Sequence, residues 1–153
     1  MTELTFALEP YTHELLDELK PLAEEHAREL VPVEYNVRFP HEGCFQLEER
    51  NRIRCYIARS EGMIVGYNGF ALLGGGENGS LVAEQLVLFL KQDFRKFFNA
   101  LKFLKWCDDQ LVKDGVQFVN QHVTEAVDYS PLLRRLNYVK AETVYRRRLW
   151  VTQ

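Results

Sequence analysis

Residues 81–115 read LVAEQLVLFLKQDFRKFFNALKFLKWCDDQLVKDG. The apolar run from Leu81 predicts a strand reaching to about Lys91. A short polar turn follows, and Phe97, Leu101, Leu104 and Leu111 then fall near one face of a long amphipathic helix that stops at Gly115. Val116 to His122 reads as strand again, so the segment predicts a strand–helix–strand crossover with its two strands parallel. The first turn of that helix has backbone N–H groups without intrahelical partners and holds the positive end of the macrodipole. A strand feeding straight into it makes a natural anion site, here with Arg95 at the junction.

Upstream, Leu4, Phe6 and Leu8 alternate with Thr5, Ala7 and Glu9 as in a half-buried strand closed by Pro10. Thr12 can cap a helix carrying Leu15, Leu16, Leu19, Leu22 and Ala23, which Pro21 is expected to kink or split, and the helical pattern lasts to about Leu30. Residues 31–50 read as an ordered connection with room for a short helix after Pro40. Ile53, Cys55 and Ile57 begin one arm of a hairpin, Glu61-Gly62 turns it, and Ile64 to Leu73 form the other. The turn GGGENG, residues 74–79, leads into the Leu81 strand. Beyond the crossover, a short helix near Pro131 to Leu136 precedes a last strand at Val144 to Val151.

At 153 residues and 46% hydrophobic the chain has the size and core capacity of a single domain, 1–153. A net charge of -3 gives no general attraction to nucleic acid or to an anionic membrane. Three cysteines without a CxxC pair suggest neither zinc nor a disulfide framework, which fits a reducing cytoplasm. The first ten residues lack signal-peptide character, and the longest apolar run, Leu86 to Leu90, is too short to span a bilayer.

The order strand, helices, hairpin, strand, helix, strand, short helix, strand resembles the GCN5-related N-acetyltransferase (GNAT) fold over nearly the whole chain. MIVGYNGFAL resembles that family's hairpin strand, AEQLVLFLKQDFRK its central strand and turn, and LLRRLNYVKAETVYRRRL its closing segment. The style is close to small acetyltransferase-like proteins of bacteriophages and bacteria. The resemblance implies an α/β fold with a central mixed, twisted sheet of about six to seven strands and helices on both faces. It also implies acetyl-CoA as acyl donor and an amine acceptor, either a small molecule or a protein. Proteins of this kind often form homodimers.

The family's phosphate-wrapping turn corresponds to Arg95, Lys96, Phe97, Phe98, Asn99 and Ala100, with Phe98 where the motif has its central glycine. Phe89 and Leu90 correspond to the part of the central strand whose backbone meets the acetyl carbonyl and the pantetheine arm. Glu84, eleven residues before Arg95, stands where one branch carries its general base. A partly desolvated carboxylate there can take a proton from an ammonium nucleophile; otherwise it is an exposed strand-end group or an arginine partner. Leu133 occupies the place of the tyrosine that protonates the departing thiolate, which leaves Tyr129, Ser130 or Tyr138 as the nearest replacements.

His122 ends the strand after the crossover, at the carboxyl edge where open α/β sheets bind ligands, and is a candidate acid or base or simply a strand-end hydrogen-bonding residue. No other His or Cys lies at metal-ligand spacing from it, so no metal is expected. Arg134, Arg135, Arg146, Arg147 and Arg148 form a basic cluster, read first as a solvated face and second as a site for the CoA 3'-phosphate, an acidic substrate or nucleic acid. Tyr35, Phe39, Tyr67 and Phe70 are candidates for an acceptor pocket or for packing. The enzyme reading has one alternative, a GNAT-shaped binding or structural protein that has lost catalysis, motivated by Phe98 and the displaced tyrosine.

Overall fold

A computed structural model of the chain describes residues 3–30, 41–75, 79–96, 98–147 and 149, apart from the side chain of His41. Among them are β1 (Leu4–Leu8), α1 (His13–Leu30), α2 (His41–Glu49), β2 (Ile53–Ser60), β3 (Met63–Gly74) and β4 (Leu81–Leu90). A 3-10 turn at Gln92–Phe94, α3 (Asn99–Lys113), β5 (Phe118–Asn120) and α4 (Ser130–Arg135) complete the order.

The strands lie in the sheet in chain order, antiparallel from β1 to β4 and parallel between β4 and β5, as the crossover predicts. The hairpin of β2 and β3 closes with Ser60 opposite Met63. Its two turn residues, Glu61 and Gly62, have φ of 50° and 81°, the handedness that matches strand twist in a two-residue loop.

Each face of the sheet is covered. Phe103, Cys107 and Leu111 of α3 pack on Tyr56, Ala58, Phe70, Leu72, Ala83 and Leu90. Leu15 and Leu22 of α1 and Cys44 of α2 pack on Ile53, Cys55, Ile57, Tyr67 and Phe89. Tyr67 and Phe70 are therefore core residues on opposite faces, whereas Tyr35 and Phe39 lie outside the described residues. The buried face of α3 is set by Phe103, Leu104, Cys107 and Leu111; Leu101 is only half-buried, and Phe97 is not described.

Three expectations need correction. Pro21 does not split α1, which runs through it for 18 residues, capped by a hydrogen bond from Leu15 N to Thr12 Oγ1 and packed on the sheet through Leu15 and Leu22. The sheet has five strands among the described residues, not six or seven. The shortfall is at the tail: no described residue of the expected Val144 to Val151 strand is in a sheet, and Val144 and Tyr145 are exposed. Alternation shows that residues can sit on a pleated sheet but supplies no partner, and β5 pairs with β4 over only three residues.

All three cysteines are buried and unpaired. Burial pushes the Cys55 thiol up to about 12, so it stays protonated and inert. Among the described residues no group of side chains could hold a metal ion, and no helix is long and apolar enough to cross a membrane.

Candidate active site

The site is built where β4 parts from β5. Parallel pairing joins Val82, Ala83 and Glu84 to Phe118, Val119 and Asn120 and then stops. One residue later the β3–β4 register slips: Gln85 faces Phe70 and Val87 faces Gly69, leaving Leu86 as the extra residue of a bulge. A bulge bends its strand and increases the local twist. From Gln85 to Leu90 the β4 edge away from β3 has no strand neighbour among the described residues, and this unpaired edge is the candidate cleft. The side chains of Phe89 and Leu90 are buried, one on each face, so only their backbone can meet the cleft, and there the Leu90 carbonyl already accepts from Arg95 Nε.

Glu84 stands where the two strands separate. Its carboxylate bonds Asn120 Nδ2 at 2.9 Å through one oxygen and His122 Nε2 through the other. The pair is accessible, with side-chain exposure of 28% for Glu84 and 51% for His122. The His122 backbone is fixed as well: its N–H donates to Gln85 Oε1 at 2.8 Å, and its carbonyl accepts from the Tyr129 hydroxyl at 3.0 Å. Three of the four candidate catalytic side chains thus meet at His122. Tyr138 does not join them directly; its hydroxyl donates to Asp108 Oδ1 of α3 at 2.7 Å. Burial pushes both the Tyr129 and Tyr138 phenols up, so both remain protonated at neutral pH.

The far end of the cleft is the turn into α3. Phe98 precedes the helix with φ 63° and ψ 13°, a left-handed conformation that a glycine adopts without penalty. The turn therefore keeps a glycine-type backbone although the residue is phenylalanine. The ring projects outward, 62% exposed, with the Arg135 guanidinium 5.5 Å from its centroid. No side chain caps α3, so the donors of its first turn are not taken by a cap. Phe98→Gly is expected to raise stability by about 1–2 kcal/mol, the usual penalty for a side chain in this conformation. Urea denaturation of the two proteins measures it.

Arg95, the charged residue of the turn, is already engaged. Its Nη2 reaches both carboxylate oxygens of Glu29 at 2.9 and 2.7 Å, its Nε donates to Leu90 O at 2.6 Å, and its guanidinium lies 5.4 Å from the Phe89 ring. This ties the end of α1 to the β4–α3 turn. Lys96 and Ala100 flank the turn, Lys96 on its way in and Ala100 in the first turn of α3.

Beneath this clip lies His26, with Nδ1 2.7 Å from the Tyr67 hydroxyl and its ring stacked 4.8 Å from Phe89. Burial, above all, depresses the His26 pKa; Arg95 acts the same way and Glu29 against it. The unfolded chain, titrating near about 6.5, then takes up this proton before the folded chain does. Stability should fall as pH drops from about 7 through that value and stop falling below the folded pKa. In His26→Gln this slope should vanish. Asp108, raised mainly by burial, acts with the opposite sign but from the carboxylate range, so urea midpoints of wild type and variant at successive pH values isolate the histidine.

Several residues of the site were not singled out from sequence: Asn120, Gln85, Gln121, Glu29 and Asp108. Asn120 and Gln85 could have been found had the β4–β5 register been known, since both adjoin Glu84 across or along the sheet.

No family model matches the sequence, and no curated protein matches it. Solved structures do. A ribosomal-protein-alanine N-acetyltransferase from Brucella melitensis biovar Abortus 2308 is 17% identical and superposes with a TM-score of 0.70, covering 97% of this chain and 100% of that one. An aminoglycoside acetyltransferase from an uncultured soil metagenomic sample, in complex with sisomicin, is 16% identical with a TM-score of 0.69, covering 98% and 97%. A predicted acetyltransferase from Clostridium acetobutylicum, with acetyl-CoA, is 7% identical with a TM-score of 0.71, covering 96% and 97%. The likeness extends over almost the whole of each pair of chains: this chain has the GNAT acetyltransferase fold.

Proposed function

We propose that the protein is an N-acyltransferase that uses acetyl-CoA and passes the acetyl group directly to an amine. The observation that carries the reading is the Glu84–His122 pair at the mouth of a cleft that ends on the uncapped start of α3.

The residues present fit the cofactor. Phe98 has the backbone conformation of the glycine it replaces and its ring is out of the core, so the N–H groups of Phe98 and Ala100 can face a pyrophosphate, while that of Asn99 is bonded to Lys96 O at 3.1 Å. Arg135, beside Phe98, adds a cation for the phosphates. The open β4 edge at Phe89 and Leu90 offers backbone N–H to the acetyl carbonyl and the amide arm, while the Leu90 carbonyl is already held by Arg95 Nε. When bound, acetyl-CoA supplies an acetyl thioester whose carbonyl carbon takes the amine nitrogen as the carbon–sulfur bond breaks.

The chain's own residues handle the protons. Glu84, hydrogen-bonded to His122, accepts the proton the amine sheds, and the imidazole can pass it to solvent because it is half exposed. Tyr129, protonated and held against the His122 carbonyl, is the proton source for the thiolate. Tyr138, tied to Asp108, is assigned no direct part. The acceptor class is an accessible primary amine, in line with the neighbour bound to an aminoglycoside and the one named for ribosomal-protein alanine.

Release of free thiol from acetyl-CoA, followed across a panel of aminoglycosides, polyamines, lysine peptides and alanine-starting peptides, tests the proposal. Amine-dependent release with at least one class supports it, and none with any class counts against it.

A second reading has its own observation. Arg95 is held by Glu29 and Leu90, which favours a GNAT-shaped binding protein whose turn is locked by its own side chains. On that reading Glu29→Gln frees Arg95 without creating affinity for acetyl-CoA.

A further inference from the structure

Behind Tyr129 runs a line of side chains that the chemistry above does not use. Gln121, just past β5, accepts the Tyr129 hydroxyl through Oε1 at 3.4 Å, a long contact beside the 3.0 Å bond to the His122 carbonyl. Its Nε2 is buried and lacks a hydrogen-bond partner at bonding distance among the described residues. The hydroxyl it approaches is that of Tyr138, which donates to Asp108 Oδ1 at 2.7 Å. Four side chains from α3, the segment after β5, the start of α4 and the segment after α4 therefore line up in series.

The order of donors in this line is forced. An ionised Asp108 can only accept, so Tyr138 must give its hydrogen to it and turn its oxygen lone pairs toward Gln121. The amide then turns its NH2 rather than its oxygen toward the Tyr138 lone pairs, and its oxygen faces Tyr129, whose single hydrogen it shares at 3.4 Å with the nearer His122 carbonyl. A buried amide oxygen set against the lone pairs of Tyr138 would repel them, whereas the NH2 faces them favourably, which makes that orientation the preferred one. The consequence falls on Tyr129: its hydroxyl is held at a fixed point between Gln121 Oε1 and His122 O.

We infer that Gln121, oriented through Tyr138 by Asp108, is the positioning residue for the Tyr129 hydroxyl. This rests on the role given to Tyr129 above. Neither Gln121 nor Asp108 touches the reacting atoms; they act by fixing where the proton donor stands, and misplacing a reacting group by about 1 Å can cost on the order of 100-fold in rate.

The test uses the whole protein labelled with 13Cζ-tyrosine, which gives one resonance for each of seven tyrosines. The Tyr129 signal is assigned by its absence in Tyr129→Phe. Asp108→Asn and Gln121→Leu should each shift it, although Asp108 makes no contact with Tyr129. Asp109→Asn, an exposed neighbour on the same helix, should leave it in place. Should Asp108→Asn fail to fold, Tyr138→Phe removes the same link and keeps the ring.

In a thiol-release assay, Gln121→Leu should lower kcat about 10-fold, within the loss that misplacement of a reacting group produces, with KM for acetyl-CoA unchanged. A Tyr129 resonance indifferent to Gln121→Leu and to both link-breaking variants overturns the inference. A resonance that responds, in a protein that shows no amine-dependent thiol release with any class of the panel, upholds the positioning and removes the acyltransferase reading instead.

Discussion

Glu84→Gln is expected to lower amine-dependent turnover by about 100- to 10,000-fold, the range that a positioned acid or base contributes. The amide keeps the size of the carboxylate and can still bond Asn120 and His122, so the change removes proton affinity and little else. Glu84 lies at the β4–β5 parting, while the proposed phosphate contacts lie at the start of α3. Affinity for acetyl-CoA should therefore be the same in the two proteins. Steady-state kinetics with a calorimetric titration separate the effects: kcat falls and the dissociation constant holds. Equal turnover in wild type and variant would remove Glu84 from the mechanism.

Phe103→Ala should cost about 3–5 kcal/mol, the usual loss for truncating a buried phenylalanine. Phe103 is 1% exposed, stacks on Phe6 at 5.1 Å, and belongs to the cluster joining α3 to the sheet. Domains of this kind are stable by only about 5–15 kcal/mol, so the loss is a large share of the total. It also bears on function. The uncapped turn at Phe98 is the start of the same helix, five residues before Phe103, and loosening that anchor should weaken acetyl-CoA binding as well. Urea denaturation followed by circular dichroism measures the first effect, and titration of the folded variant measures the second.

What the sequence makes legible follows from local physics. The change from an apolar strand to helical spacing at residues 81–115 is a matter of neighbouring residues, and the crossover and parallel pairing are found as expected. The Thr12 cap and the Glu61-Gly62 turn are equally local. The site is less legible because its contacts are long-range. Glu84 and His122 could each be singled out, but their pairing depends on how β4 registers against β5, which periodicity does not encode. Glu29 lies 66 residues from Arg95, so nothing near the turn announces that its arginine is already held. The tail errs in the other direction: Val144 and Tyr145 carry a strand-like pattern with no sheet partner among the described residues. Phe98 is intermediate. The resemblance marks the glycine position, and only the structure shows that phenylalanine adopts the glycine's backbone there.

The central claim, that the cleft from β4 to the start of α3 holds acetyl-CoA, is tested most directly by calorimetric titration of the protein with acetyl-CoA, with CoA and desulfo-CoA alongside. Binding in the micromolar range by all three is the predicted result, since the contacts proposed at Phe98, Ala100 and Arg135 are to the phosphates they share. No heat at millimolar ligand, with Arg95 still clasped by Glu29, would contradict the claim and leave the protein as a GNAT-shaped binding module.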